Sequence, residues 1–230
     1  MMREDQCICH WRRDGSCTGR QEICRFVGEG LAHTTRLYGS PTIPVNEVEV
    51  CWRLSSTAFT AIKDRQRGIF AIFLSGDWPV QEEYYSFYYG QLAHEIAHLL
   101  NAELYDCYVE GLNTVFAEVL CTRQSVDWRC WRNHYSNNPG SFYATTYRMM
   151  KEVSDAAGAE HMRHILRCAV STDASQERLH LCIDQWLDSL PRDKKVAVKA
   201  KIREHAPCVN RAREDDHMQE YVFRLPRNES

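Results

Sequence analysis

The sequence has no run of about 18 consecutive apolar residues, which excludes a transmembrane helix. It also lacks an excess of either charge. Lys and Arg number 28 against 31 Asp and Glu, a formal net charge of -3. That balance offers no basic surface for nucleic acid or for an anionic membrane. There is no internal repeat and no low-complexity tract. The opening stretch MMREDQCICHWRRDG has no apolar core of a secretory signal. The expectation is a cytoplasmic protein, or a leaderless or processed secreted form. What is present is apolar material in quantity. Of 230 residues 44% are hydrophobic, enough to bury a core and to exclude disorder.

Two counts stand out, 11 Cys and 10 His. An odd number of cysteines cannot all pair within one chain. They spread from Cys7 to Cys208 without a tight framework, so free, mostly buried thiols are the first expectation.

Residues 1–40 are rich in Cys, Gly, Arg and Thr with weak periodicity, and read as an irregular Cys-rich segment before the main domain, 41–230. Residues 45–54, VNEVEVCWRL, alternate as a strand does, and GIFAIFL at 68–74 is a short apolar run of strand type. From Gln81 the pattern turns helical. Candidate helices are 81–101, 104–123, 127–135, 141–157, 159–170, 174–189 and 192–205, with Gly158 and Pro191 as boundaries. The residues after about 220 read as frayed. Strands first and helices after define an α+β class, a small N-terminal sheet with an edge strand followed by a mostly helical domain.

The chemistry sits in Gln91–Leu100, QLAHEIAHLL, which contains His94-Glu95-Ile96-Ala97-His98. On a helix, residues i and i+4 share a face one turn apart, so two imidazoles can converge on one Zn²⁺. Glu95 lies about 100° round the helix, within reach of a metal-bound water as general base. Random order of this composition produces HExxH on the order of one time in thirty, so the surroundings matter. Tyr85, Tyr88, Tyr89, Leu92, Ile96, Leu99 and Leu100 form an apolar arc with both histidines roughly opposite. No Lys or Arg occurs between Gln81 and Tyr105, as expected of a buried helix.

A third ligand is available in YVEGLNTVFAEVL. Leu112, Val115, Phe116, Val119 and Leu120 form its stripe, with Glu110 opposite beside Thr114, Ala117 and Cys121. Gly111 favours a close approach to the first helix. Glu118 is the rival carboxylate. The GIFAIFL run is a candidate edge strand that an extended peptide can pair with; a plain core strand fits its composition equally.

His94-Glu95-Ile96-Ala97-His98 followed by Val109-Glu110-Gly111-Leu112 resembles the gluzincin class of zinc metallopeptidases. Residues 143–166 are similar to the helical tail of small peptidases in that class. The resemblance implies a zincin-like domain in which His94, His98 and Glu110 bind Zn²⁺ and Glu95 activates the zinc-bound water to hydrolyse a peptide or protein substrate. It further implies that Tyr143, with Tyr147 as competitor, hydrogen-bonds the oxyanion. The alternative is a catalytically inactive zincin-fold binding protein that keeps the metal. Thr114 stands where many relatives carry an acid that orients a ligand imidazole, and Asn113 replaces a small alanine. Oligomeric state has no sequence signal.

Cys7, Cys9, His10, Cys17 and Cys24 offer the donor types of a second zinc site, at a spacing that matches no standard finger. Structural zinc, disulfides and free thiols all remain open there. Trp128 and Trp131, beside Arg129 and Arg132, read as packing residues.

Overall fold

The computed structural model describes residues 6–53, 57–75, 85–171 and 179–227. The fold is α+β, a small N-terminal sheet followed by a mostly helical region. The chain divides into two compact units. The first takes residues 1–36, 40–102 and 116–131; the second takes 37–39, 103–115 and 132–230.

The first unit is built on a five-stranded sheet. Its strands are β1 (Gln6–Arg12), β2 (Cys17–Gly19), β3 (Glu47–Arg53), β4 (Phe59–Asp64) and β5 (Ile69–Ser75), in the order β2-β1-β3-β5-β4. β3 and β5 are parallel, and the remaining neighbours are antiparallel. The alternation in β3 works as the sequence implies, with Val48 and Val50 fully buried and Glu47 and Glu49 half-exposed. β5 buries Phe70, Ala71, Ile72 and Leu74 almost in succession, as a strand with neighbours on both sides does.

That position corrects one expectation. GIFAIFL is an inner strand, and among the described residues the sheet ends at β2 on one side and β4 on the other. β4 lies in a stretch that reads as a polar connection, because it carries Lys63 and Asp64 and only weak apolar alternation. Residues 6–38 of the N-terminal stretch are corrected too. They are not irregular: they form the β1–β2 hairpin and the 18-residue helix α1 (Gln21–Tyr38). α1 buries Ile23, Phe26, Val27 and Tyr38 together with Cys24, a stripe interrupted in the sequence by small and charged residues.

Helix α2 spans Tyr85–His98 and buries Tyr88, Leu92, Ala93, Ile96 and Ala97. The four residues expected before it, 81–84, lie outside the described residues. Its end tightens into turns from Leu99 to Asn101, and the Leu100 carbonyl accepts from the Thr42 N–H at 3.1 Å. Helix α3 (Cys107–Arg123) departs from its expected stripe. Leu112, Phe116 and Leu120 are buried, but so are Thr114, Ala117 and Cys121 on the other face, while Val119 is exposed. A helix buried nearly all round has no single apolar arc to read.

The second unit is helical, with a hairpin set into it. α4 (Arg129–Asn137) leads into it, followed by α5 (Phe142–Ala157), the short α6 (Ala159–Met162), β6 (Ala169–Ser171), β7 (Leu179–Leu181), α7 (Ile183–Asp188) and α8 (Arg192–Asp215). Ser141 caps α5, its side chain accepting from the Ala144 N–H, and Gly158 ends it at φ +87°. The expected helices 159–170 and 174–189 are each shorter and give up residues to the β6–β7 pair. Residues 174–178 lie outside the described residues. The C-terminal stretch is anchored rather than frayed as far as Arg227. Val222 bridges to Asp106, the Tyr108 hydroxyl donates to the Arg224 carbonyl at 2.7 Å, and Arg227 pairs with Asp184 at 3.1 Å.

Candidate metal centre

On α2 the inner side chains are buried, and Gln91, His94 and His98 are the half-exposed positions between Gln91 and Leu100. They follow one helical stripe, at spacings of three and four. Gln91 accepts from the Ser75 N–H at 3.1 Å, which ties this stripe to the end of β5. The two imidazoles meet at their outer nitrogens, with Nε2 to Nε2 3.3 Å and ring centroids 5.1 Å apart. Two ligands held about 2.05 Å from one tetrahedral Zn²⁺ sit about 3.3 Å from each other. The donor geometry therefore fits that ion. A carboxylate oxygen of Glu95 completes a group whose donor atoms all lie within 4.8 Å of one another.

Glu95 is only 4% exposed, and its neighbour is on the sheet edge. The Thr60 hydroxyl of β4 lies 2.8 Å from Glu95 Oε2 and 3.0 Å from the Glu95 carbonyl. β4 thus runs past the carboxylate, held in register by Thr60 against Ile72 and Phe59 against Phe73. Thr60 was invisible to the sequence reading, because nothing marks a threonine in an unrecognised strand as a partner for a glutamate 35 residues on.

The other expected residues are not members of that group; Glu110, Tyr143 and Tyr147 belong to the second unit and Glu118 to the first. Glu110 lies in the first turn of α3 and is 2% exposed. Its N–H donates to the Asp106 carbonyl at 3.1 Å, and its own carbonyl accepts from Thr114 Oγ1 at 2.9 Å. Thr114 therefore serves the helix backbone. Gly111 has a different neighbour from the one expected. A Cβ there would collide with the Thr146 carbonyl, so the missing side chain lets α3 approach α5. Tyr143 is half-buried in α5 beside Phe142, with ring centroids 5.4 Å apart. Tyr147 stacks on Tyr135 at 5.4 Å and receives a hydrogen bond from Lys151 Nζ at 3.4 Å. Glu118, the rival carboxylate, is half-buried on α3.

Asp106 is a residue the sequence reading passed over. It is fully buried and caps α3, Oδ1 accepting from the Tyr108 N–H at 2.8 Å and Oδ2 from the Leu181 N–H at 3.0 Å. Burial pushes its carboxyl up to about 7, against the pull of those backbone donors. An Asp just before a helical run is a cap signal, and it was available in the sequence.

In the N-terminal segment the donors sort themselves. Cys17 and Cys24 form a disulfide, and Cys9 Sγ lies 2.6 Å from Cys24 Sγ. Cys9, Cys17 and Cys24 make a second close group of ligand atoms. His10 points away and pairs with Glu47 at 2.9 Å, and an irregularity between Cys7 and Cys9 breaks their register. The remaining nine cysteines are free. Trp131 stacks on Phe87 at 4.1 Å and donates to its carbonyl, the packing role expected of it.

No protein-family model, curated protein or solved structure matches this chain.

Proposed function

We propose that the protein is a zinc-dependent metallopeptidase of gluzincin type. The observation that carries this reading is the 3.3 Å convergence of His94 and His98 Nε2 with the Glu95 carboxylate beside them. Support also comes from β4, which ends the sheet among the described residues and passes directly over Glu95. An extended peptide can add to such an edge by main-chain hydrogen bonds.

His94 and His98 would hold the ion, with Glu110, carried over from the resemblance alone, as third ligand. A zinc ion held there would supply Lewis acidity and make a water more acidic. Glu95 takes up a proton at Oε1, since Oε2 is held by Thr60, and passes it to the leaving amine. Burial of Glu95 keeps bulk water from competing for that proton. Tyr143 is the proposed donor to the developing oxyanion.

The test is Glu95→Gln against a peptide library. Zinc content should persist while turnover falls by about 10²–10⁴-fold. Undiminished cleavage overturns the base. A second reading, an inactive metal-keeping binding protein, is favoured by one observation, the occupation of Glu95 Oε2 by Thr60. That reading predicts zinc in the wild type with no cleavage at all.

A further inference from the structure

The cluster of Cys9, Cys17 and Cys24 has no part in that chemistry. Its sulfurs come from three elements, β1, β2 and α1. Cys17 pairs across the hairpin with Trp11, and Gly19, at φ +89° with the Ile8 carbonyl where a Cβ would sit, turns the chain sharply into α1. That turn brings Cys24 back over β1. Cys9 is 1% and Cys24 3% exposed, whereas Cys17 is half-exposed and marks the side of entry.

A disulfide accounts for only two of these sulfurs. It leaves the buried Cys9 pressed against Cys24 at 2.6 Å, nearer than non-bonded sulfurs pack. We propose that, once the Cys17–Cys24 disulfide is reduced, Cys9, Cys17 and Cys24 bind one thiophilic cation, zinc, as a three-thiolate site. Tetrahedral Zn–S bonds of about 2.3 Å set sulfurs about 3.8 Å apart. All three sulfurs already lie within 4.8 Å of one another, and Cys9 and Cys24, 2.6 Å apart beside the closed disulfide, have to separate by about 1 Å once it opens to reach that spacing. An all-sulfur donor set without carboxylates selects a soft or borderline ion over calcium or magnesium.

The steps balance. A dithiol reductant gives two electrons and two protons to the Cys17–Cys24 bond and leaves as its own disulfide, giving two thiols. Zn²⁺ then displaces three protons from the three thiols. The disulfide and the ion exclude each other, so zinc occupancy of this cluster reports the redox state of its surroundings.

The test uses the full chain with His94→Ala and His98→Ala, so that α2 cannot compete for the ion. After anaerobic reduction with a phosphine, zinc should bind at one equivalent, and cobalt should give thiolate charge-transfer absorption. The oxidised chain should bind neither. Cys9→Ser should weaken zinc binding by more than about tenfold. No zinc in the reduced chain, or zinc binding by the reduced Cys9→Ser form as tight as by the reduced form that keeps Cys9, overturns the proposal. Alkylation of the otherwise unsubstituted, reduced chain guards against misfolding of the variants. Zinc should protect Cys9, Cys17 and Cys24 together and leave Cys130 and Cys208 reactive. Equal labelling of the three with and without zinc overturns it as well. Neither result depends on the peptidase reading.

Discussion

His94, Glu95 and His98 fall within five consecutive positions of one helix, whereas Cys9, Cys17 and Cys24 come from two strands and another helix. In the first group, helical geometry alone sets the distance between donors, so a five-letter string suffices to find it. In the second, the distance is set by a hairpin register, a tight turn at Gly19 and the docking of α1. The first group should therefore be robust to changes elsewhere in the first unit, and the second should fail with its scaffold.

The sharpest way to break this comparison is the Glu95→Gln substitution described above, which should remove activity without removing metal. The next is a pH titration of stability. Asp106 has a folded pKa of about 7, above its ordinary carboxylate value, because it is buried. The unfolded chain releases that proton first. Stability is therefore fully present below about pH 4 on this account and declines as pH rises towards 7. The loss should be roughly 2–4 kcal/mol in chemical denaturation, and Asp106→Asn should flatten the slope. A slope that survives that substitution contradicts the capping role.

Reduction of the Cys17–Cys24 disulfide should have a somewhat smaller effect. It releases a short loop, worth about 2–3 kcal/mol by loop entropy. In metal-free buffer the melting temperature of the reduced chain should fall by several degrees, and an unchanged melting temperature would contradict a stabilising disulfide. The smallest effect is expected for Thr60→Val, which removes the hydrogen bond to Glu95 but keeps the strand. The value of kcat should drop about tenfold with KM unchanged, since the bond orients the base rather than the substrate. A change confined to KM would move Thr60 to substrate binding.

The same contrast explains what was legible in the sequence. β3, β5 and the later helices could be read because their periodicity is local. α5 begins and ends at the expected Ser141 and Gly158, and α8 starts after the expected Pro191 but runs to Asp215, ten residues past the expected end at 205. β4 was hidden because an edge strand beside a helix needs little apolar alternation, and α1 because its buried Ile23, Phe26 and Val27 stand among Cys, Gly and charged residues. The stripe on α3 was misread because α3 is buried on both faces. Of the site, the two histidines and Glu95 were legible from spacing. Thr60 and the pairing of Gly111 with Thr146 depend on tertiary contacts that no local pattern encodes.

The central claim is a zinc site on α2, and elemental analysis of the oxidised chain tests it most directly. With Cys17 and Cys24 joined, the thiolate cluster is closed to metal. Wild type should then carry one zinc per chain, and His98→Ala should carry none at the same concentration. A wild-type protein without zinc, or a His98→Ala protein that keeps it, would contradict the account.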